Sequence, residues 1–181
     1  MSRASVKQAL TETINNIKDN PGTSKVVFRA STAWEDDVRC TATVRNFPPI
    51  AVDEPPELGG QDSAVNPVEL VLVALGTCQE IMYSAYASVM DIPLDGVKVN
   101  ARGYLDLKGL FGLDPATPPG YSRITFETEL ESSASDDDLR RLVETVENHC
   151  PVLDILARAQ TVTGSATCNG RSLTKTQRNA A

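Results

Sequence analysis

The sequence predicts an α+β fold, on three observations. Segments with period-two alternation of β-branched and aromatic residues fall into two groups, each followed by a helical pattern, without βαβ alternation. A helix opening at Pro67 is apolar on nearly every face from Val68 to Leu75, which requires burial on all sides. Capping and turn residues stand at the joins between these segments.

In order along the chain, residues 1–20 (MSRASVKQALTETINNIKDN) lack the apolar core of a signal peptide. They read as a short helix with Val6, Ala9, Leu10, Ile14 and Ile17 at its apolar positions. PGTS (21–24) is a turn. KVVFRASTAW (25–34) and VRCTATVRNF (38–47) form a hairpin through the acidic turn EDD. Pro48 and Pro49 end it, IAVDE is a further short strand, and PPELGGQDSAV is a long loop. Asn66 is the N-cap of the apolar helix, Pro67 its first residue and Glu69 the acid of its first turn, with the helix running to about Met90. Residues 97–109 and 122–132 alternate as strands around the Gly/Pro-rich GLFGLDPATPPGY. Residues 133–149 form an amphipathic helix capped by Ser135, and Pro151 opens a shorter helix, PVLDILARA. TVTGSATC is a last strand, followed by a loose polar tail. The expected organisation is a helical extension (1–24), one domain (25–168) and the tail (169–181).

The 181 residues suit one domain or one subunit of an assembly, and 41% hydrophobic with 23% charged residues is ordinary globular composition. A net charge of −7 argues against nucleic acid or an anionic membrane as partner. The longest apolar run, Leu70 to Leu75, is too short to span a bilayer, so the expected location is the cytoplasm. Four cysteines without a CxxC pair, beside the single His149, make neither a disulfide scaffold nor a zinc site.

Cys78 lies about three turns into its helix, where the helix dipole does little for a thiol. By itself it reads as core packing, and reactivity would need a cation supplied by the fold. Cys150 stands just before a Pro that opens a helix. Its thiol can face free backbone N–H groups that favour the thiolate, or it can fill a tight corner between two helices. Cys40 and Cys168 read as inert, and His149 as a surface residue. The glycines of ELGG serve backbone conformation, since no phosphate-loop context follows them.

ELGG (57–60), NPVEL (66–70), ALGTC (74–78) and CPV (150–152) together resemble the OsmC/Ohr family, the osmotically inducible protein C and organic hydroperoxide resistance proteins. The likeness covers residues 25 to 168. DEPPELGG and the insertion LDLKGLFGLD resemble an OsmC-like branch of it. The resemblance implies antiparallel sheets wrapped around long central helices in an intertwined homodimer, with sites at the subunit boundary. It implies a thiol peroxidase of organic hydroperoxides in oxidative-stress defence. Cys78 then corresponds to the attacking cysteine and Cys150 to the resolving one, and an external lipoyl-type dithiol is the reductant. No metal or bound cofactor is implied.

The resemblance also implies an arginine from the N-terminal sheet and a glutamate that holds it. Arg39 and Arg45 are the candidates for the arginine, Arg39 having the better spacing before ELGG. The family's acidic position is Val68 here, with Glu69 next to it. One residue turns a helix by about 100°, so Glu69 need not face the same arginine, and Glu54 or Glu57 could substitute. Two other functions fit the same residues: a non-enzymatic binder of a small apolar ligand, and a redox switch made of the cysteine pair.

Overall fold

A computed structural model of the chain describes residues 3–178. Its elements are α1 (Arg3–Asp19), β1 (Ser31–Asp36), β2 (Arg39–Thr43), β3 (Ile50–Val52), α2 (Pro67–Val89), β4 (Gly96–Leu105), α3 (Leu107–Leu110), β5 (Tyr121–Glu131), α4 (Asp136–His149), α5 (Pro151–Ala157), β6 (Val162–Cys168) and β7 (Arg171–Arg178). All pairings are antiparallel, in three small sheets of order β1-β2-β3, β4-β5 and β6-β7. The α+β expectation holds.

α2 is the hub, packing against α1, β4, α4 and α5. Asn66 and Glu69 start it with a reciprocal capping box: Asn66 Oδ1 accepts from Glu69 N at 2.8 Å, and Glu69 Oε2 accepts from Asn66 N at 2.9 Å. Residues four apart, Leu75, Gln79, Tyr83 and Ala87, make one fully buried stripe. Tyr83 and Ala87 meet Leu142 and Val146 of α4, with Ile92, in the main core. α4 begins at Ser135, whose side chain accepts from Asp138 N, and presents its apolar stripe to α2. Truncating Leu142 to Ala would cost about 2–5 kcal/mol, so this contact fixes where α4 ends. α2 is also, among the described residues, the one helix long and apolar enough to cross a membrane by length and composition. Only 22% of that apolar stretch is buried within the chain, and Val73 (50% exposed) and Ile81 (66%) face outward.

α1 lies along the C-terminal half of α2, with Leu10 and Ile14 beside Met82, Tyr86 and Val89. Lys7 pairs with Asp91, and Arg3 with Asp95 at 3.7 Å. Among the described residues, neither the β1–β3 sheet nor the β6–β7 hairpin makes more than a marginal contact with a helix. Every residue of β6 and β7 is exposed.

Four expectations need correction. The first strand starts at Ser31, not at 25, because its partner β2 ends at Thr43 and the chain turns away at Arg45 (φ 51°). Residues 25–30 carry no strand pairing, and Phe28 is 91% exposed. β4 stops at Leu105, where Asp106 caps the short α3 instead of continuing to 109. α5 ends at Ala157, two residues before the expected end. The segment after Cys168, expected to be loose, pairs with β6 from Arg171 to Arg178. Residues 179–181, like Met1 and Ser2, lie outside the described residues.

The loop before α2 is held by one carboxylate. Asp53 is buried and accepts from Ser63 Oγ (2.7 Å) and from the backbone N–H groups of Ser63 (3.0 Å), Glu54 (2.9 Å) and Gln61 (3.2 Å). These bonds, led by the Ser63 hydroxyl, hold its pKa down to about 2 from an ordinary 3.8. Gly60 closes against the same turn, where a Cβ would lie 1.8 Å from the Glu54 carbonyl oxygen. This explains the second glycine of ELGG sterically.

A folded-state pKa below the unfolded value gives stability that is present above the unfolded pKa and disappears as pH falls through the folded one. Asp53→Asn is therefore expected to lower the urea midpoint at pH 7, with the deficit narrowing between about pH 4 and pH 2. A deficit of constant size over that window would contradict the role given to the carboxylate.

Candidate active site

Cys78 and Cys150, far apart in sequence, meet where α4 turns into α5. Cys150 caps α5 and is 1% exposed; Cys78 is half-buried. The thiol of Cys150 and the backbone N–H of Val152 lie close enough to Cys78 to act on its thiol. Pro151 has no N–H, so Val152 carries the first free donor of α5, and its N–H acts on Cys78. The donation expected for Cys150 thus serves the other cysteine, and the side chain of Cys150 makes no capping bond. Burial, the largest effect, and the neighbouring Cys150 push the Cys78 thiol above its ordinary 9.0, while the Val152 N–H pulls it down. No guanidinium is among the groups acting on it.

The remaining expected site residues are not brought to this pair. Arg39 bridges to Asp36 (3.1 Å) and Glu35 (4.0 Å) within its own hairpin. Arg45 lies 4.5 Å over the Phe47 ring. Glu69 is committed to the capping box, and Arg39 and Glu69 form no pair. At Val68 the backbone is what engages, its carbonyl oxygen accepting from Tyr121 Oη at 2.9 Å. Gly103 permits this: a Cβ there would lie 2.3 Å from the Tyr121 ring. Burial and the nearby Glu69 carboxylate raise the Tyr121 phenol above its ordinary value, keeping it a donor. Cys40 and Cys168 stand apart on β2 and β6. His149 is exposed, against the Tyr86 ring, as expected of a surface residue.

Leu75 on α2 and Leu153 on α5, each three residues along the chain from Cys78 and Cys150, line a cleft of about 260 Å³ with Tyr121, Arg123, Phe126 and Leu156, and neither cysteine is among its lining residues. Arg123 rests 4.0 Å over the Tyr104 ring. Sequence reasoning missed Arg123, which lies in a strand with no motif around it, and the Val152 donor. The second was legible, since Cys-Pro at a helix start moves the first free N–H to the residue after Pro.

Two neighbouring thiols on an α+β scaffold of antiparallel hairpins and a central helix define a dithiol protein. The family model described as OsmC-like protein matches residues 60–165, and the chain belongs to that family. The fold is similar to that of an OsmC-like protein from Mycoplasma pneumoniae, at 18% identity and a TM-score of 0.63, covering 74% of this chain and 89% of that one. It is similar to an OsmC-like protein of unknown function from Vibrio cholerae, at 13% identity and 0.60, covering 72% and 93%. An organic hydroperoxide resistance protein OsmC from Legionella pneumophila matches at 19% identity and 0.55, covering 72% and 89%. No curated protein matches the chain.

Facing thiols should close on each other. Diamide treatment is expected to give the Cys78–Cys150 disulfide as the first product in peptide mapping, with Cys40 and Cys168 unlinked. A first product containing Cys40 or Cys168 would contradict the geometry.

Proposed function

We propose that the chain is a thiol-dependent peroxidase of organic hydroperoxides, acting in oxidative-stress defence in the cytoplasm. The observation that carries this reading is the contact of a half-buried Cys78 with a buried Cys150 near an apolar cleft. The Cys78 thiolate attacks the O–O bond; with one proton taken up, the alcohol leaves and Cys78 becomes a sulfenic acid. The Cys150 thiol displaces the sulfenic hydroxyl, the S–S bond forms and water leaves. An external dithiol of lipoyl type exchanges with this disulfide, returning both thiols and departing as its own cyclic disulfide. The chemistry needs no metal or bound cofactor. The leucines and Phe126 of the cleft favour alkyl or fatty-acyl peroxides over hydrogen peroxide.

The thiolate is the missing part within one subunit, since burial holds Cys78 up and no cation offsets it. We infer that a second copy supplies the cation. Val73 and Ile81 of α2 are exposed, and among the described residues two sheets make no more than marginal contact with the chain's own helices. In an intertwined homodimer the β1–β3 sheet would lie over the partner's α2 and carry Arg39 to its cysteine. Glu35 and Asp36, which already hold Arg39, would replace the acid that Val68 does not supply.

Without such a cation the same pair would act as a redox switch that closes once and does not turn over. Tert-butyl hydroperoxide with dihydrolipoamide separates the readings. Sustained turnover is expected, abolished in Cys78→Ser and replaced in Cys150→Ser by overoxidation of Cys78 within a few cycles. A single stoichiometric oxidation without turnover would favour the switch, and no oxidation of Cys78 would favour a binding protein.

A further inference from the structure

α1 lies outside the residues that the family model matches, and the peroxidase reading does not use it. No residue of this 17-residue helix is buried. Leu10 and Ile14 of α1, with Met82, Ala85, Tyr86 and Val89 of α2, line a cavity of about 230 Å³ between the two helices. It shares no residue with the cleft of Leu75 and Leu153. Packed helices normally interdigitate and leave few voids larger than a water molecule, so this one is a feature of the join.

The join itself is weak. Both pairs that tie α1 down, Lys7 with Asp91 and Arg3 with Asp95, are largely exposed, and exposed ion pairs contribute little. An isolated helix of about 12–15 residues is marginal in water, and α1 is only slightly longer. The α2 wall, by contrast, is held from behind. Met82 and Tyr86 pack on the main core, and the Tyr86 ring meets that of His149 at 5.5 Å.

The lining selects its occupant. None of the six side chains is charged, and the Tyr86 hydroxyl is the one strong hydrogen-bonding group among them. An ordered water wants about two to four polar partners, more than this lining offers. A carboxylate, phosphate or ammonium group would lose its hydration and meet no counter-charge. A neutral apolar molecule exchanges water for carbon on every side, and an apolar cavity of about 150 Å³ already accepts a benzene ring.

We propose that α1 and α2 form a binding site for one small, neutral, apolar molecule about the size of a substituted benzene ring, and that its occupancy clamps α1 onto α2. The linkage follows from the lining. Leu10 and Ile14 complete the site only while α1 is docked, so a ligand that touches both helices shifts the docking equilibrium towards the docked state.

The test needs no peroxide. The full chain is titrated with toluene, and separately with benzoate, in which a carboxylate replaces the methyl group. Amide hydrogen exchange is followed by mass spectrometry. Exchange across residues 10–14 is expected to slow about tenfold once free toluene is about ten times its dissociation constant, and to be unmoved by benzoate. Ala85→Leu fills the cavity and should weaken toluene binding at least about tenfold, while its α1 exchanges no faster than in the unliganded wild type. Leu10→Asn puts an unpaired amide into the lining and should weaken binding by a different route. Unchanged α1 exchange with toluene, an equal response to benzoate, or wild-type affinity in both variants overturns the proposal. So does slowing confined to Leu75 and Leu153, which would place the ligand in the other cleft. Protection of α1 that rises with protein concentration and not with toluene would assign the cavity to a second copy, and also overturns it. If toluene clamps α1 in a protein that ignores hydroperoxides, the peroxidase reading falls and this site stands.

Discussion

Pro151 cannot donate a backbone hydrogen bond, so the first free N–H of α5 belongs to Val152, and it is the group that pulls the Cys78 pKa down. That donor exists at the right place only because α4 ends against α2. The end of α4 is fixed in turn by Leu142 and Val146 packed on Tyr83 and Ala87. The same core contact therefore delivers Cys150 to Cys78 and the backbone dipole to the pair. The two cysteines sit at a helix junction whose geometry is set by apolar packing a turn or more away.

This arrangement leaves an imbalance of charge. A half-buried thiol with one N–H donor and a second thiol beside it is held in its neutral form. Rapid attack on a peroxide needs the thiolate. The exposed sheets and the outward Val73 and Ile81 leave apolar surface uncovered on the same subunit that lacks a cation. In the proposed homodimer one association event answers both needs, since the sheet that covers α2 brings Arg39 with it. Arg39 is already ordered by Glu35 and Asp36, which reduces the entropy lost when it is positioned.

Local features were legible in the sequence because they are decided locally. Asn66, Pro67 and Glu69 specify the start of α2, Ser135 the start of α4, and the β-branched alternation the strands β2, β4 and β5. Residues 25–30 misled because strand propensity does not provide a pairing partner. The segment after Cys168 misled in the opposite sense, being too polar to alternate yet long enough to pair with β6 along its length. In the site, the order ELGG, Cys78, Cys-Pro-Val was visible and its meeting point was not. That Tyr121 reaches the Val68 carbonyl depends on how β4–β5 lies on α2. No spacing in the chain encodes it.

The central claim is that a complete site combines the cysteines of one subunit with the arginine of another. Mixing subunits tests it directly. Cys78→Ser and Arg39→Ala chains, each inactive alone, are co-expressed in equal amounts and assayed together for hydroperoxide turnover. In a symmetric dimer with shared sites, half of the dimers are mixed and each holds one intact site, so about a quarter of wild-type activity should return. A mixture as inactive as its parents would place the arginine and the cysteine in one subunit. Full activity of the Arg39→Ala chain alone would remove Arg39 from the chemistry, and either result would contradict the account.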